Sequence, residues 1–184
     1  MTLAMSRIDE SRDFLPVRFA VLTVSDSRKP EDDRSGDTLV GLLTGAGHVL
    51  AARDLCRDER AEIAGKLWQW VDDDGIDAVL TTGGTGLTGR DVTVEAHRDV
   101  YEKEIEAFGP IFAWLSMQKI GTSAIQSRAC AGVARGTYLF ALPGSPSACR
   151  DAWEGILAPQ FDLRHRPCNF VEILPRLDEH RRRK

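Results

Sequence analysis

The chain has 184 residues, 42% of them hydrophobic and 28% charged, with 24 Lys and Arg against 28 Asp and Glu for a formal net charge of −4. That length holds one domain whose core needs no disulfide or metal, and the acidic balance argues against a general nucleic-acid binder, which needs excess positive charge for phosphate contacts. No apolar run approaches the roughly 18 residues that cross a bilayer, and Met1 to Pro16 has no signal-peptide hydrophobic core, so a cytoplasmic protein away from membranes is expected.

Residues 1–16 show no period and are expected to form a flexible N-terminal tail. A single domain is expected over 17–177, and a solvated basic tail over 178–184. Arg18 to Ser25 (RFAVLTVS) is apolar and rich in β-branched residues, the pattern of a strand buried on both faces. Asp26 to Arg34 is a polar loop, after which Ser35 can cap a helix to about Ala46 with Leu39, Leu42 and Leu43 on one face. His48 to Leu55 is a second strand. Asp58 can cap the next helix, whose apolar residues are Ile63, Leu67, Trp70 and Val71 and which Gly75 stops. Ile76 to Thr82 is a third strand, Gly83 to Arg90 a glycine-rich loop, and a helix follows from about Thr93. Phe108 to Lys119 is a further helix, and no strand is expected before about Cys130. Arg135-Gly136 separates Cys130 to Ala134 from Thr137 to Leu142, a hairpin spacing. Pro143 to Pro146 is a turn, and Ser147 to about Leu157 a last helix.

Buried strands alternating with helices indicate a three-layer α/β/α fold, with a mostly parallel sheet and one antiparallel hairpin. Ligands of such sheets bind beyond the carboxyl ends of the strands. The residues that follow strands are therefore the candidates: Ser25 and Asp26, Asp58, Gly83 to Asp91, and Pro143 to Pro146. Cys56, Cys130, Cys149 and Cys168 contain no C-x-x-C pair, which argues against structural zinc and suits a reducing compartment. No Ser/His/Asp or Cys/His arrangement stands out, and the four histidines read as surface or structural.

Thr81 to Asp91 (TTGGTGLTGRD) is the strongest local signal. Its glycines, between a strand and a helix, let backbone N–H groups approach an anion. Gly84, Gly86 and Gly89 satisfy G-x-G-x-x-G, but the acids some 20 residues on lie in a polar stretch with no strand, against a dinucleotide site. Walker spacing fails too, because Arg90 and Asp91 replace its Lys and Ser/Thr. An aspartate there suits a cation: Mg²⁺ is bound through one or two carboxylates plus substrate phosphates. Asp58 and Asp91 make a plausible pair, and helix capping is the alternative for each, as it is for Asp26.

The blocks then line up in order. Thr81 to Asp91, followed by Val92-Thr93, resembles the signature of the molybdopterin adenylyltransferase (MoaB/Mog) family. Thr23 to Asp26, Asp33 to Asp37 (DRSGD), Glu106 to Gly109, Thr122 to Arg128 (TSAIQSR) and Leu142 to Pro146 (LPGSP) match as well, and Arg166 to Phe170 resembles the family's B branch. The resemblance covers about residues 17 to 170. It implies a mixed, mostly parallel sheet, assembly as a trimer or hexamer, and Mg²⁺-dependent adenylyl transfer from ATP to molybdopterin. It also implies molybdopterin, and other proteins of molybdenum cofactor biosynthesis, as partners. Position by position, it gives Asp58 and Asp91 the acidic roles: Asp91 would hold Mg²⁺ or position the phosphates, and Asp58 would assist the transfer. It gives ligand contacts to Ser25, Asp26, Gly83, Gly84, Thr85, Gly86, Ser127, Arg128, Pro143, Gly144, Ser145 and Pro146. The alternative is a non-catalytic molybdopterin-binding or assembly protein of the same fold, which would need the glycine loops but not both acids. The loops Gly83 to Gly86 and Pro143 to Pro146 are expected to meet over one shared anion.

Overall fold

The computed structural model describes residues 7–182. In chain order the elements that matter here are β1 (Arg7–Ile8), β2 (Arg18–Val24), α1 (Arg34–Gly45), β3 (Val49–Cys56), α2 (Arg60–Val71) and β4 (Ala78–Thr82). These are followed by α3 (Thr93–Arg98), β5 (Lys103–Glu104), α4 (Phe108–Ile120), β6 (Cys130–Ala134), β7 (Thr137–Leu142), α5 (Pro146–Ala152) and β8 (His165–Arg166). Six strands form one sheet in the order β3-β2-β4-β7-β6-β5. β3, β2, β4 and β7 run parallel. β6 is antiparallel to both β7 and β5.

Successive side chains of a strand point to opposite faces, and here each face has its own core. Phe19, Val21, Leu80, Tyr138 and Phe140 pack with Leu39 and Leu43 of α1, Phe112 of α4 and Trp153 beyond α5. Ala20, Leu22, Val79 and Leu139 pack with Ile63, Leu67 and Trp70 of α2 and Ala96 of α3. The expected three-layer α/β/α architecture is thus present, with the antiparallel hairpin Cys130 to Leu142 at its stated bounds.

Several local expectations are corrected. Asp33, not Ser35, caps α1: its Oδ1 accepts from Gly36 N (2.9 Å), while Oδ2 accepts from Thr23 Oγ1 (2.7 Å) and pairs with Arg53 (2.8 Å). A charged, paired acceptor outcompetes the serine, whose hydroxyl is used elsewhere. Asp58 does not cap α2, which begins one residue later at N-cap Glu59. The helix expected from Ser147 starts at Pro146, with Ser145 Oγ accepting from Ala148 N. β5 is a short edge strand inside the stretch read as strand-free, held antiparallel by Val133 and Gly132 of β6.

Part of each presumed tail is also ordered against the domain. Arg7 and Ile8 pair with Arg166 and His165, Asp9 pairs with Arg166 (3.2 Å), and the Phe14 ring packs on His48. Glu179–Arg182 is helical, and Arg181 pairs with Glu102. Met1 to Ser6, Arg183 and Lys184 lie outside the described residues. Among those described, no helix is long and apolar enough to cross a membrane.

Candidate active site

Because β2, β3, β4 and β7 are parallel, the chain leaves all four at the same edge of the sheet. The loops after them converge on one cavity of about 420 Å³. The β2 loop brings Ser25, Asp26, Ser27 and Arg28. The β3 loop brings Asp58. The β4 loop brings Gly83, Gly84, Thr85, Gly86 and Asp91, and the β7 loop brings Pro143 and Gly144. Ser127, ahead of β6, completes the wall. A second depression of about 290 Å³ lies at the opposite edge, around Arg18, Asp77 and Thr137, and has no glycine-rich loop.

The two expected ligand loops do meet. β4 and β7 are neighbours, Gly83 N donates to Leu142 O (3.0 Å), and Thr82 Oγ1 donates to Pro143 O (2.9 Å). A Cβ on Gly144 would lie 3.1 Å from the Gly83 Cα, so the loops approach backbone to backbone. Gly83 and Gly84 have φ of 103° and 63°, a region that L side chains rarely enter. The N–H groups of Gly84 and Thr85 have no acceptor among the described residues, so they are free for an anion.

The two acids are held differently. Asp91 Oδ2 accepts from Thr88 N (2.8 Å) and Thr88 Oγ1 (2.7 Å). Burial works against its ionisation, but these bonds and one from Gly86 N keep the carboxyl below its ordinary 3.8. Asp58 is buried and, among the described residues, accepts only a 3.3 Å bond from Val92 N. Burial pushes its carboxyl up, the Val92 bond opposes this, and the charges of Asp91 and Asp26 add to the rise. One acid is fixed as an anion and the other resists ionisation, the separation expected of carboxylates with different tasks. The Thr93 hydroxyl is buried without a partner among the described residues. A Cβ on Gly84 would come within 2.7 Å of both Asp58 oxygens and closer still to Thr93 Oγ1, so three oxygens surround one small space.

Asp26 lies at the rim, where the Asp58 N–H (3.1 Å) and the Arg90 ion pair (2.9 Å) hold its carboxyl below the ordinary value. Ser25 Oγ accepts from Ser27 N and Arg28 N and shapes the first loop. Arg128, Ser145 and Pro146 do not line the cavity. Arg128 braces it from behind. Its Nε donates to the carbonyls of Thr85 (3.1 Å) and Gly86 (3.0 Å), one terminal nitrogen donates to Asp91 O (3.0 Å), and both terminal nitrogens pair with Glu95. Ser145 and Pro146 form the cap and first turn of α5. Sequence reasoning passed over Ser27 and Arg28. Their only signal was position, just after a buried strand in a loop that otherwise looked like charged surface.

Comparison with known proteins agrees with this geometry. The family model described as a probable molybdopterin binding domain matches residues 20–163. The chain belongs to this family. It is 48% identical over 160 residues to molybdenum cofactor biosynthesis protein B of Escherichia coli (strain K12), covering 87% of this chain and 94% of that one. A crystal structure of a molybdenum cofactor biosynthesis protein B superposes with a TM-score of 0.82 at 35% identity, over 92% of this chain and 99% of the other. A tungsten cofactor synthesizing protein MoaB from Pyrococcus furiosus superposes with a TM-score of 0.73 at 30% identity, over 89% and 98%. The MoaB/Mog resemblance read from the sequence is therefore correct, and the chain has a role in molybdenum cofactor biosynthesis.

Proposed function

We propose that this MoaB-type chain adenylylates molybdopterin. A phosphate oxygen of molybdopterin forms a bond to the α-phosphorus of ATP, the bond from that phosphorus to the bridging oxygen of pyrophosphate breaks, and pyrophosphate leaves. The observation that carries the reading is the convergence of free loop N–H groups with two carboxylates of opposite character in one cavity. Joining two anions needs fixed positive partners and positioning rather than covalent catalysis. Gly84 and Thr85 N–H groups bind and orient phosphate oxygens. Asp58, protonated more readily than an exposed aspartate, is the group that can hold the proton of the attacking phosphate.

The residues present fit Mg²⁺. Asp91 keeps its Oδ1, and Asp58 lies beside the unpartnered Thr93 hydroxyl. Among the described residues no group of three or more His, Cys, Asp or Glu could hold a metal by itself, as expected of an ion that completes its shell with substrate phosphates and water. Asp91 would hold it, leaving Asp58 for the proton, and when bound it supplies charge neutralisation for the phosphates.

Self-association into a trimer or hexamer is part of the proposal. Phe108 and Phe112 of α4 are buried, but Ile111, Trp114, Met117 and Ile120, spaced three apart, are all about half exposed. Such an apolar stripe suits a subunit contact. Incubation with ATP, Mg²⁺ and molybdopterin, followed by detection of adenylyl-molybdopterin and pyrophosphate, tests the reaction. Binding of molybdopterin without any adenylylated product would favour the non-catalytic assembly reading.

A further inference from the structure

Four charged side chains line the cavity: Asp26, Asp58, Asp91 and Arg28. For a site that must take phosphates, three carboxylates and one cation is a repulsive wall. Of the nearby arginines, Arg90 offsets Asp26 from the rim and is shared with Glu59, and Arg128 is spent on loop carbonyls and Glu95, so Asp58 and Asp91 keep no arginine of their own.

Arg28 differs. It is half-buried, and its two hydrogen bonds go to neutral oxygens: one terminal nitrogen donates to Ser35 Oγ (2.8 Å), the other to Gly144 O (2.9 Å). It has no carboxylate partner among the described residues. Other arginines without an ion pair, such as Arg34, Arg57 and Arg150, are exposed and lie outside the cavity. A guanidinium has five N–H donors, so three remain. A half-buried cation pinned at two points without a counter-ion is a site prepared for an anion, and a guanidinium fork matches a phosphate. Ser35 is fully buried in the first turn of α1, so Arg28 is braced by a rigid element.

We propose that Arg28 is the phosphate-holding cation of the site, and that it clasps the β2 loop to the β7 loop through Gly144 so that both close on the same phosphate. This rests on the adenylyl-transfer reading and adds a specificity residue to it. The ligand class is a phosphate ester or pyrophosphate lying against Pro143 and Gly144.

The test is calorimetric titration of the full chain with inorganic pyrophosphate and, separately, ATP. It compares wild type, Arg28→Ala, Arg28→Lys and the exposed control Arg150→Ala at two salt concentrations. Arg28→Ala is expected to weaken pyrophosphate binding about tenfold or more, with an unchanged circular dichroism spectrum and less weakening by salt than wild type. Arg28→Lys is expected to recover only part of the loss, because an ammonium cannot hold Ser35, Gly144 and phosphate together. Arg150→Ala is expected to stay within about twofold. Pyrophosphate binding by Arg28→Ala within about twofold of wild type, with the same salt response, overturns the assignment and leaves the adenylyl-transfer reading standing. A wild-type chain that binds neither pyrophosphate nor ATP overturns both.

Discussion

Asp58 and Asp91 are the same residue type in one cavity, yet they should behave oppositely when neutralised. Asp91 is held below the ordinary carboxylate value by its Thr88 bonds. It therefore stabilises the fold above pH 3.8, and that contribution is lost as pH falls through its folded value. Asp58 is pushed up, so its ionisation costs stability, a cost that is absent below pH 3.8 and complete above its folded value. We expect Asp91→Asn to be slightly less stable than wild type at pH 7 and Asp58→Asn slightly more stable. In urea titrations the Asp58→Asn advantage should vanish as pH falls toward 3.8. Both variants are expected to lose adenylyl transfer by about 10²-fold or more. Near wild-type turnover of Asp91→Asn with Mg²⁺ would remove its metal role, and an Asp58→Asn chain less stable than wild type at pH 7 would contradict the burial argument.

At the scale of elements, the glycine loop is where sequence and structure agree most closely. Its run of glycines between a buried strand and a helix implied a close backbone approach, and Gly83 and Gly84 have the required positive φ. Gly84→Ala is expected to cost about 2 kcal/mol, from strain at positive φ and the clash with Thr93 and Asp58. Chemical denaturation measures this, and a loss below about 0.5 kcal/mol would mean that the loop tolerates a side chain. The strands were legible for a similar reason, since runs such as Val79 to Thr81 are apolar enough to require burial on both faces. What was not legible depends on distant partners. Asp33 outcompetes Ser35 as a cap only because Thr23 and Arg53 are brought beside it. Lys103–Glu104 has no strand composition and becomes β5 only because the β6 edge offers pairing. Arg128 was picked out by its motif, but its task of bracing carbonyls at Thr85, Gly86 and Asp91 is a property of the folded loop alone.

For the whole molecule, the exposed stripe on α4 and two buried histidines set the behaviour in solution. If Trp114 sits in a subunit contact, light scattering should give three or six times 20.4 kDa, and Trp114→Glu should shift the population toward the monomer. A wild-type monomer at micromolar concentration would rule the assembly out. Burial pulls His97, whose Nε2 lies 2.9 Å from Thr81 Oγ1, down to about 3, and His48, whose Nδ1 accepts from Val17 N, to about 4. Both must stay neutral to remain folded, while the unfolded chain protonates them near 6.5. Stability should therefore fall as pH drops below about 6.5 and keep falling toward these lower values. Urea midpoints measured from pH 7 to 4.5 should show this slope, and His97→Ala, though destabilised throughout, should show a shallower one.

The cavity also has a place in the order of folding. Thr82 and Pro143 touch across 61 residues of sequence, and the two loops meet only once β7 has docked beside β4. A chain with α1, α2 and β2 to β4 assembled but β7 still free has most of one core and lacks the Pro143 and Gly144 wall of the binding site. Ligand affinity therefore reports the long-range docking of β7 rather than the bulk of folding. During gradual unfolding, binding should disappear before helical circular dichroism does. Saturating ligand should slow the release of β7 more than it changes the fraying of the outer helices.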